Sequence, residues 1–451
     1  MVLHSDKGQT VVILGLGYVG LTLAVVMAER GFRVVGVEIQ ERVVELTNRG
    51  IPHFFETQME QRLKEVVDKG KLVACNEISN NIDADIYVIT VGTPLSESGS
   101  VRLDMLKNAT NEIAMHMSDS SLVILRSTVK IGVTKNIVCP ILEKTKKKFH
   151  LAFCPERTLE GNALEELVVL PQIIGGIDEA SSWSATQVFQ KITSTIICVS
   201  NVETAEITKL VDNTSRDVMF AYANEISMLC DVVGANMMEV VQAGKKGYPR
   251  TNIPLPGLVG GPCLSKDSYI LDQSVSTYEV RPNIIMASRK TNEDQPAYVA
   301  NFLMQLANML KWKDNIKISL LGLAFKGRPA TDDLRGTMAI PVFNALKNVF
   351  PNATYCGFDV LVSQTDTEEM GLIYTNSIDH ALEDAHLVLI LNNHPTFEHF
   401  SVSQQTHLMS KPGVVYDFWN TMDIDNTNFT DGVYYFATGS HKLCTNLMGE
   451  Q

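Results

Sequence analysis

Residues 10–39 read TVVILGLGYVGLTLAVVMAERGFRVVGVEI, and this stretch decides the fold. It opens on an apolar, β-branched run, turns through glycines, continues as a helix-length apolar segment and closes on a second β-branched run. Runs without polar alternation suit strands covered on both faces, and two such strands joined by a helix form a parallel pair. The turn itself is Gly15-Leu16-Gly17-Tyr18-Val19-Gly20, a GxGxxG. Alone the pattern is weak. Here it follows a predicted strand, opens a predicted helix, and is followed about 20 residues later by Glu38 at the end of the next strand. In that setting Gly15 permits the tight turn. Gly17 lets backbone amides, with those of Tyr18 and Val19 among them, approach a pyrophosphate at the helix N-terminus. Gly20 allows close packing of helix on strand. A carboxylate at Glu38 accepts from a ribose 2′-hydroxyl and repels a 2′-phosphate, so the expected cofactor is NAD, not NADP. The competing reading is a purely structural glycine turn.

Outward from this unit, further strands are expected at 86–91, 122–125, 151–153, 173–174 and 196–199, with helical stretches between them. That alternation predicts a parallel, doubly wound sheet ending near Asn201. VGTP (91–94) and RSTV (126–129) fall at the C-terminal ends of strands, where open α/β sheets bind ligands. Thr93 and Thr128 therefore face the cofactor or substrate, or else cap loops. From Glu203 to about Met309 the apolar spacing changes to three and four, which predicts helices, interrupted by a glycine- and proline-rich loop over 244–262. After Lys313 the first pattern returns, with strands in ATYCGFDV, HLVLILNN and GVVYDFWN. The expected fold class is α/β: two Rossmann-like doubly wound domains joined by a helical middle region. The expected divisions are 1–201 for an NAD-binding domain, 202–312 for a helical, dimer-forming region with the cysteine loop, and 313–451 for the second Rossmann-like domain.

Composition agrees. A chain of 451 residues, 45% hydrophobic and 20% charged, has the profile of a globular protein of two or three domains. The net charge of −13 argues against general nucleic-acid binding or an anionic-membrane role. The basic run KTKKKF (144–149) reads as a solvated surface turn. Eight cysteines are spread without a CxxC or a His/Cys pairing, so neither a zinc site nor a disulfide framework is expected, and a reducing compartment is. The N-terminus carries no cleavable-leader pattern and nothing later reads as a membrane span, so the expected location is cytoplasmic.

Four separated stretches carry chemistry: CPERTLEG (154–161), AEITKLVDN (205–213), LVGGPCLSKD (258–267) and GLAFKGRPATDDLRG (322–336). Lys209 and Asn213 are four apart on a predicted helix and project from one face. Cys263 stands behind two glycines and is a candidate nucleophile, because a thiolate needs close backbone approach and polar help. Asp267, Glu156 and Glu160 are acid/base candidates. Against these stand ordinary readings: a lone cysteine packed in a core, a lysine solvated on a helix.

With GLGYVG, VGTPL, STV, PERTLEG, AEITKLVDN, PRTNIPLPGLVGGPCLSKD and AFKGRPATDDLRG in this order, the chain resembles the UDP-glucose/GDP-mannose dehydrogenase family over almost its full length. The resemblance implies four-electron oxidation of the C6 alcohol of a nucleotide sugar to a carboxylate with NAD, serving surface-polysaccharide precursor synthesis. It implies Cys263 as the covalent nucleophile, passing through a thiohemiacetal and a thioester. Lys209 and Asn213 correspond to oxyanion-stabilising groups. Asp267 and Glu156 correspond to acid/base and water-positioning groups, assisted by Thr128. Gly260 and Gly261 correspond to a close-access backbone for the sugar, and Lys326 to a substrate-contacting lysine. Arg335 corresponds to an arginine near the cofactor. Arg250 corresponds to an arginine reaching the sugar nucleotide of a neighbouring subunit, hence a homodimer or higher oligomer. The second α/β domain would hold the UDP portion. Arg157, in PER, and the PRTNI loop look like the UDP-N-acetylhexosamine type, UDP-ManNAc or UDP-GlcNAc. Glu160 and Lys266-Asp267 look like the UDP-glucose type, which stays as the alternative substrate. Two other readings are an inactive cofactor-binding scaffold and a simple two-electron alcohol dehydrogenase. The first sits badly with a complete residue set, and the second has no use for Cys263.

Overall fold

The computed structural model describes residues 9–398, 405–422 and 430–441; the residues 1–8 that begin the N-terminal stretch lie outside them. The chain divides into two compact units, Met1–Asp212 with Tyr269–Arg281, and Asn213–Ser268 with Pro282–Gln451.

The first unit is built on eight strands: β1 (Thr10–Leu14), β2 (Arg33–Val37), β3 (Leu72–Cys75), β4 (Ile86–Ile89), β5 (Ser121–Leu125), β6 (Phe149–Phe153), β7 (Gln172–Gly176) and β8 (Ile196–Cys198). They lie in the order β3-β2-β1-β4-β5-β6-β7-β8. Helices α1 (Tyr18–Glu29), α2 (Glu41–Asn48), α3 (Met59–Asp68), α4 (Asp104–His116), α5 (Cys139–Glu143), α6 (Ala163–Val169) and α7 (Glu179–Phe189) connect them. Successive side chains of a strand point to opposite faces. Val11 and Ile13 of β1 join one buried cluster with Leu21 and Val25 of α1, while Val12 and Leu14 join another with Tyr87, Ile89 and Val123. Both faces are therefore covered, which is why the strand reads as an unbroken apolar run; each such side chain contributes about 1.5–3 kcal/mol.

One feature departs from the expected parallel sheet. β6 and β7 pair antiparallel, Ala152 opposite Gly176 and Phe153 opposite Gly175. The chain between them is spent on the PERTLEG loop and the two turns of α6, whose Leu164 and Leu167 pack into the cluster that holds α1. The chain thus re-enters the sheet at the end where it left.

Four helices follow: α8 (Val202–Val233), α9 (Met237–Lys245), α10 (Gly261–Ser274) and α11 (Asn283–Met309). The loop expected over 244–262 is shorter at both ends, because α9 runs to Lys245 and α10 begins at Gly261. Cys263 consequently stands in the first turn of a helix, not in a loop. Pro262 suits that position, where its missing N–H is not needed. Gly261 makes the entry turn at φ +90, and the Ser265 hydroxyl donates to the Gly261 carbonyl at 2.7 Å.

The rest of the second unit is a six-stranded sheet: β9 (Lys317–Leu321), β10 (Thr354–Phe358), β11 (Ile373–Tyr374), β12 (Leu387–Ile390), β13 (Gly413–Asp417) and β14 (Val433–Ala437), in the order β11-β10-β9-β12-β13-β14. All its pairings are parallel. Helices α12 (Ala339–Val349), α13 (Gln364–Glu369), α14 (Ile378–Leu382) and α15 (Pro395–Glu398) belong to it. The turn after β9 repeats the turn after β1: the Gly15 N–H bonds the end of β2, and the Gly322 N–H bonds the end of β10.

Candidate active site

In the first unit β1 lies between β2 and β4, where the strand order reverses and a crevice opens at the carboxyl ends. Gly15 sits there at φ +92, and its N–H donates to the Val37 carbonyl at 2.8 Å. A Cβ on Gly20 would collide with the Gly15 carbonyl oxygen, so this contact of helix on turn requires glycine. Gly17 is the N-cap of α1. It has no side-chain cap, no acidic residue follows in the first turn, and nothing lies within 4 Å of where its Cβ would stand. The first-turn amides of Tyr18 and Val19 have no partner inside the helix. Tyr18's own hydroxyl accepts the Gly161 N–H at 2.7 Å. The Glu38 carboxylate accepts from the Leu16 N–H at 2.9 Å and from the Gln40 N–H at 3.1 Å, beside the glycine turn. A bare helix N-terminus, a cradle that a side chain would fill and a carboxylate at the neighbouring strand end together fit a dinucleotide.

Thr93 and Thr128 follow β4 and β5. The Thr93 hydroxyl donates to the Thr128 carbonyl, so for Thr93 the loop-tying role accounts for the hydroxyl. Thr128 is half-buried.

Also in the first unit, Glu156 is buried against Arg126. Its Oε2 accepts from Arg126 Nε at 3.0 Å and Nη2 at 2.6 Å. Its Oε1 accepts from the N–H groups of Arg157 at 2.7 Å and Thr158 at 2.8 Å. Arg126 further donates to the Cys154 carbonyl and to Gln172. Burial alone pushes the Glu156 carboxyl up, but the Arg126 guanidinium, the Thr158 N–H and the Lys209 charge override it and hold it below its ordinary value. Paired with a buried guanidinium and held below its ordinary value, the group acts chiefly through its charge. Arg157 pairs with Asp212 at 3.0 Å, and Glu160 is half-buried in the same loop. Lys209, on α8, is buried to 8% exposure.

In the second unit, Asn213 of α8 donates to Asp267 Oδ2 at 2.6 Å, and Lys266 Nζ reaches Oδ1 at 3.1 Å. Asp267 is 1% exposed, whereas Cys263, one turn earlier on α10, is exposed. A Cβ on Gly260 would strike the Gly336 carbonyl oxygen, and the Gly261 N–H donates to that same oxygen at 2.7 Å. Lys326 is half-buried, 5.4 Å from the Phe325 ring centre. Arg250 is exposed beside Tyr248, and Arg335 is exposed and forks onto Asp333 at 2.6 Å.

The sequence reading missed a polar stripe along α8. Glu206 accepts from the Gly132 and Thr134 N–H groups, and Asp217 pairs with Arg289 at 2.9 Å. Asn224 bonds both the N–H and the carbonyl of Gly257, at 2.9 and 3.0 Å. Lys209, Asn213 and Asp217 recur every fourth residue, a signal that continuing past Asn213 finds. Arg289 and Asn292 on α11 carry no such signal.

Among the described residues no helix is long and apolar enough to cross a membrane. Three models of the UDP-glucose/GDP-mannose dehydrogenase family match the chain: the NAD binding domain over residues 9–193, the central domain over 203–294 and the UDP binding domain over 319–424. A UDP-N-acetyl-D-mannosamine dehydrogenase of Pyrococcus horikoshii is 33% identical over 398 residues, 86% of this chain and 90% of that protein. A solved UDP-D-ManNAc dehydrogenase from Pyrococcus horikoshii aligns with TM-score 0.86 and 30% identity, covering 96% of this chain and 100% of that one. A UDP-glucose dehydrogenase from Pyrobaculum islandicum aligns with TM-score 0.83 and 25% identity, covering 97% and 99%.

Proposed function

The chain belongs to the UDP-glucose/GDP-mannose dehydrogenase family, and from that premise we propose that it oxidises C6 of UDP-N-acetyl-D-mannosamine to the uronic acid, with Cys263 as the covalent nucleophile. It is an NAD-dependent oxidoreductase acting on a CH–OH group. The observation that carries the covalent reading is Cys263 in the first turn of α10, with Asp267 one turn on and bonded to Asn213.

NAD, when bound, takes a hydride from the sugar carbon in each of two oxidations. Gly17 and the amides of Tyr18 and Val19 would hold its pyrophosphate, Gly15 and Gly20 shape the turn that admits it, and Glu38 would hold its ribose. After the first oxidation the Cys263 thiolate adds to the C6 aldehyde, forming a C–S bond and placing the electron pair on oxygen. Lys209 and Asn213 stabilise that oxyanion and Thr128 orients the neighbouring water. Loss of the second hydride leaves a thioester on Cys263. Water then attacks, its proton passing to Asp267; the C–S bond breaks, the thiolate leaves and the carboxylate is released. Glu156 contributes negative charge beside Lys209. Lys326, Arg250 and Gly260 are the proposed contacts to the sugar nucleotide and Arg335 to the cofactor. Arg157 and Glu160 line the sugar side.

The names of the relatives and the PER motif support the N-acetylated sugar. Glu160 and Lys266-Asp267 favour UDP-glucose as the second reading. NADH release measured across a panel of UDP-sugars decides between them: the proposal expects about two NADH per sugar and the highest kcat/KM for UDP-N-acetyl-D-mannosamine. A higher kcat/KM for UDP-glucose overturns the substrate, and one NADH per sugar overturns the covalent route.

The same proposal places the enzyme in the cytoplasm, supplying precursors for a surface polysaccharide, and keeps 1–201, 202–312 and 313–451 as its functional divisions. It also makes the enzyme a homodimer or higher homo-oligomer. Val211, Met219, Tyr222, Leu229 and Val233 are exposed along one side of α8, more apolar surface than a lone helix face leaves uncovered. A fully active monomer in sedimentation overturns this.

A further inference from the structure

We propose that Arg289 and Asn224, two buried residues outside the catalytic set, are the positioning residues that hold Cys263 in place for attack. This rests on the reading of Cys263 as the nucleophile.

The backbone that leads into Cys263 has no regular structure to fix it: residues 246–260 form no helix or strand, and Cys263 stands in the first turn of α10. Two side chains supply the missing bonds. Arg289 is 1% exposed. Its Nη2 donates to the Val259 carbonyl at 3.0 Å and its Nη1 to the Leu264 carbonyl at 2.9 Å. One acceptor precedes Cys263 and the other follows it, so a single planar group bridges the nucleophile's turn. Asn224, fully buried, grips Gly257 through both its N–H and its carbonyl. The two are coupled. Asn292 accepts from Asn224 at 2.9 Å and donates to Asp217 Oδ1 at 2.8 Å, the oxygen that Arg289 Nη1 also meets at 2.9 Å. Ser268, on the cysteine's own helix, donates to the other Asp217 oxygen at 3.1 Å. The network ties residues 257–268 to α8 and α11.

A fold-stabilising ion pair would need only Asp217 and Arg289. It would not need the guanidinium spread over two carbonyls flanking the reactive residue. Lysine keeps the charge, but as a compact ammonium it lacks the planar fork that meets Asp217 and both carbonyls at once. Covalent chemistry tolerates about 0.5 Å of misplacement, and about 1 Å costs on the order of 10²-fold.

The test uses the full-length enzyme as Arg289→Lys, Asn224→Ala and Cys263→Ala. Readouts are kcat, KM for NAD and for the UDP-sugar, the melting temperature, and the rate of iodoacetamide alkylation at Cys263 relative to the exposed Cys198, read by peptide mass spectrometry. Arg289→Lys is expected to lower kcat by about 10- to 100-fold, to leave KM for NAD within about twofold, and to slow alkylation at Cys263 several-fold relative to Cys198. Asn224→Ala, which releases Gly257 alone, is expected to show the same pattern at smaller size, and it carries the test if Arg289→Lys does not fold. Wild-type kcat and alkylation ratio in the folded variants, with only a lowered melting temperature, overturn the inference. Cys263→Ala separates the two failures. If that variant still makes uronic acid at the wild-type rate, the nucleophile reading falls; if it is inactive while the positioning variants are normal, only this inference falls.

Discussion

The Asn213 amide donates to the Asp267 carboxylate at 2.6 Å, with the two side chains 7% and 1% exposed as residues. An amide is the group this contact needs. Asn213→Asp would press two carboxylates together in a buried site, where both cannot ionise. One would then have a folded-state pKa raised above its unfolded value. The sign follows: the variant's stability relative to wild type is best below the ordinary carboxylate range and is lost as pH rises through the raised pKa. Melting temperatures at pH 5 and pH 8 check this. The deficit of Asn213→Asp is expected to be larger at pH 8, while Asn213→Ala shows a deficit with little pH dependence. Equal deficits at both values for the aspartate variant would contradict it.

Arg126 and Glu156 form a buried pair with 2% and 9% side-chain exposure. Glu156→Gln leaves the guanidinium without a counter-charge, and the loss of stability is expected at about 3–5 kcal/mol, measured by denaturant unfolding. In the wild type the Glu156 carboxyl is held below its ordinary value. Its contribution is therefore complete above the ordinary carboxylate range and is lost as pH falls through the depressed folded value. The same shift makes a kinetic statement. Glu156→Gln should lower the kcat–pH profile without moving its limbs between about pH 6 and 9. A limb that vanishes in this variant would mean the carboxylate titrates during turnover.

The strand-turn-helix-strand of residues 10–39 was legible because each part is decided by neighbours in sequence: β-branched runs, glycines, a strand-end acid. The short strands β3, β11 and β14 were not, since two to five residues at or near a sheet edge carry little pattern. The direction of β7 has no residue signature; it follows from where α6 packs. Gly260-Gly261-Pro262 read as loop, yet proline tolerates the first helical position as well as a turn, and only the structure separates the two. The chemistry proposed for Cys263, Lys209, Asn213 and Asp267 rests on the family resemblance that the order of their motifs along the chain carries. Arg289 was not legible. A single arginine among the lysine, glutamate and aspartate of α11 looks solvated until its partners Asp217, Val259 and Leu264 arrive from other elements.

On the proposed reading, Glu38 selects the cofactor by charge. Its carboxylate stands at the glycine turn, bonded to the Leu16 N–H, where a 2′-phosphate would meet a negative group. Glu38→Ser removes that repulsion. The ratio of kcat/KM for NADP to that for NAD is expected to rise by at least about tenfold, and an unchanged ratio would show that another group discriminates.

Gly17 and Gly20 answer to different constraints, and alanine at each separates cofactor binding from folding. The Cβ added at Gly20 overlaps the Gly15 carbonyl oxygen and meets Thr90 Oγ1 at 2.7 Å. Backbone cannot yield there without opening the contact between α1 and β1, so Gly20→Ala should lower the melting temperature and weaken NAD binding together. The Cβ added at Gly17 meets no protein atom within 4 Å, and the residue's φ of −63 is open to alanine. Nothing in the protein itself therefore asks for glycine at 17, apart from a few tenths to about 1 kcal/mol of N-cap preference. On the proposed reading, what asks for it is the pyrophosphate of NAD at the helix N-terminus. Gly17→Ala should fold with a melting temperature near wild type and raise Kd for NAD by at least about tenfold, as read by calorimetric titration. A Gly17→Ala enzyme with unchanged NAD affinity would place the pyrophosphate elsewhere.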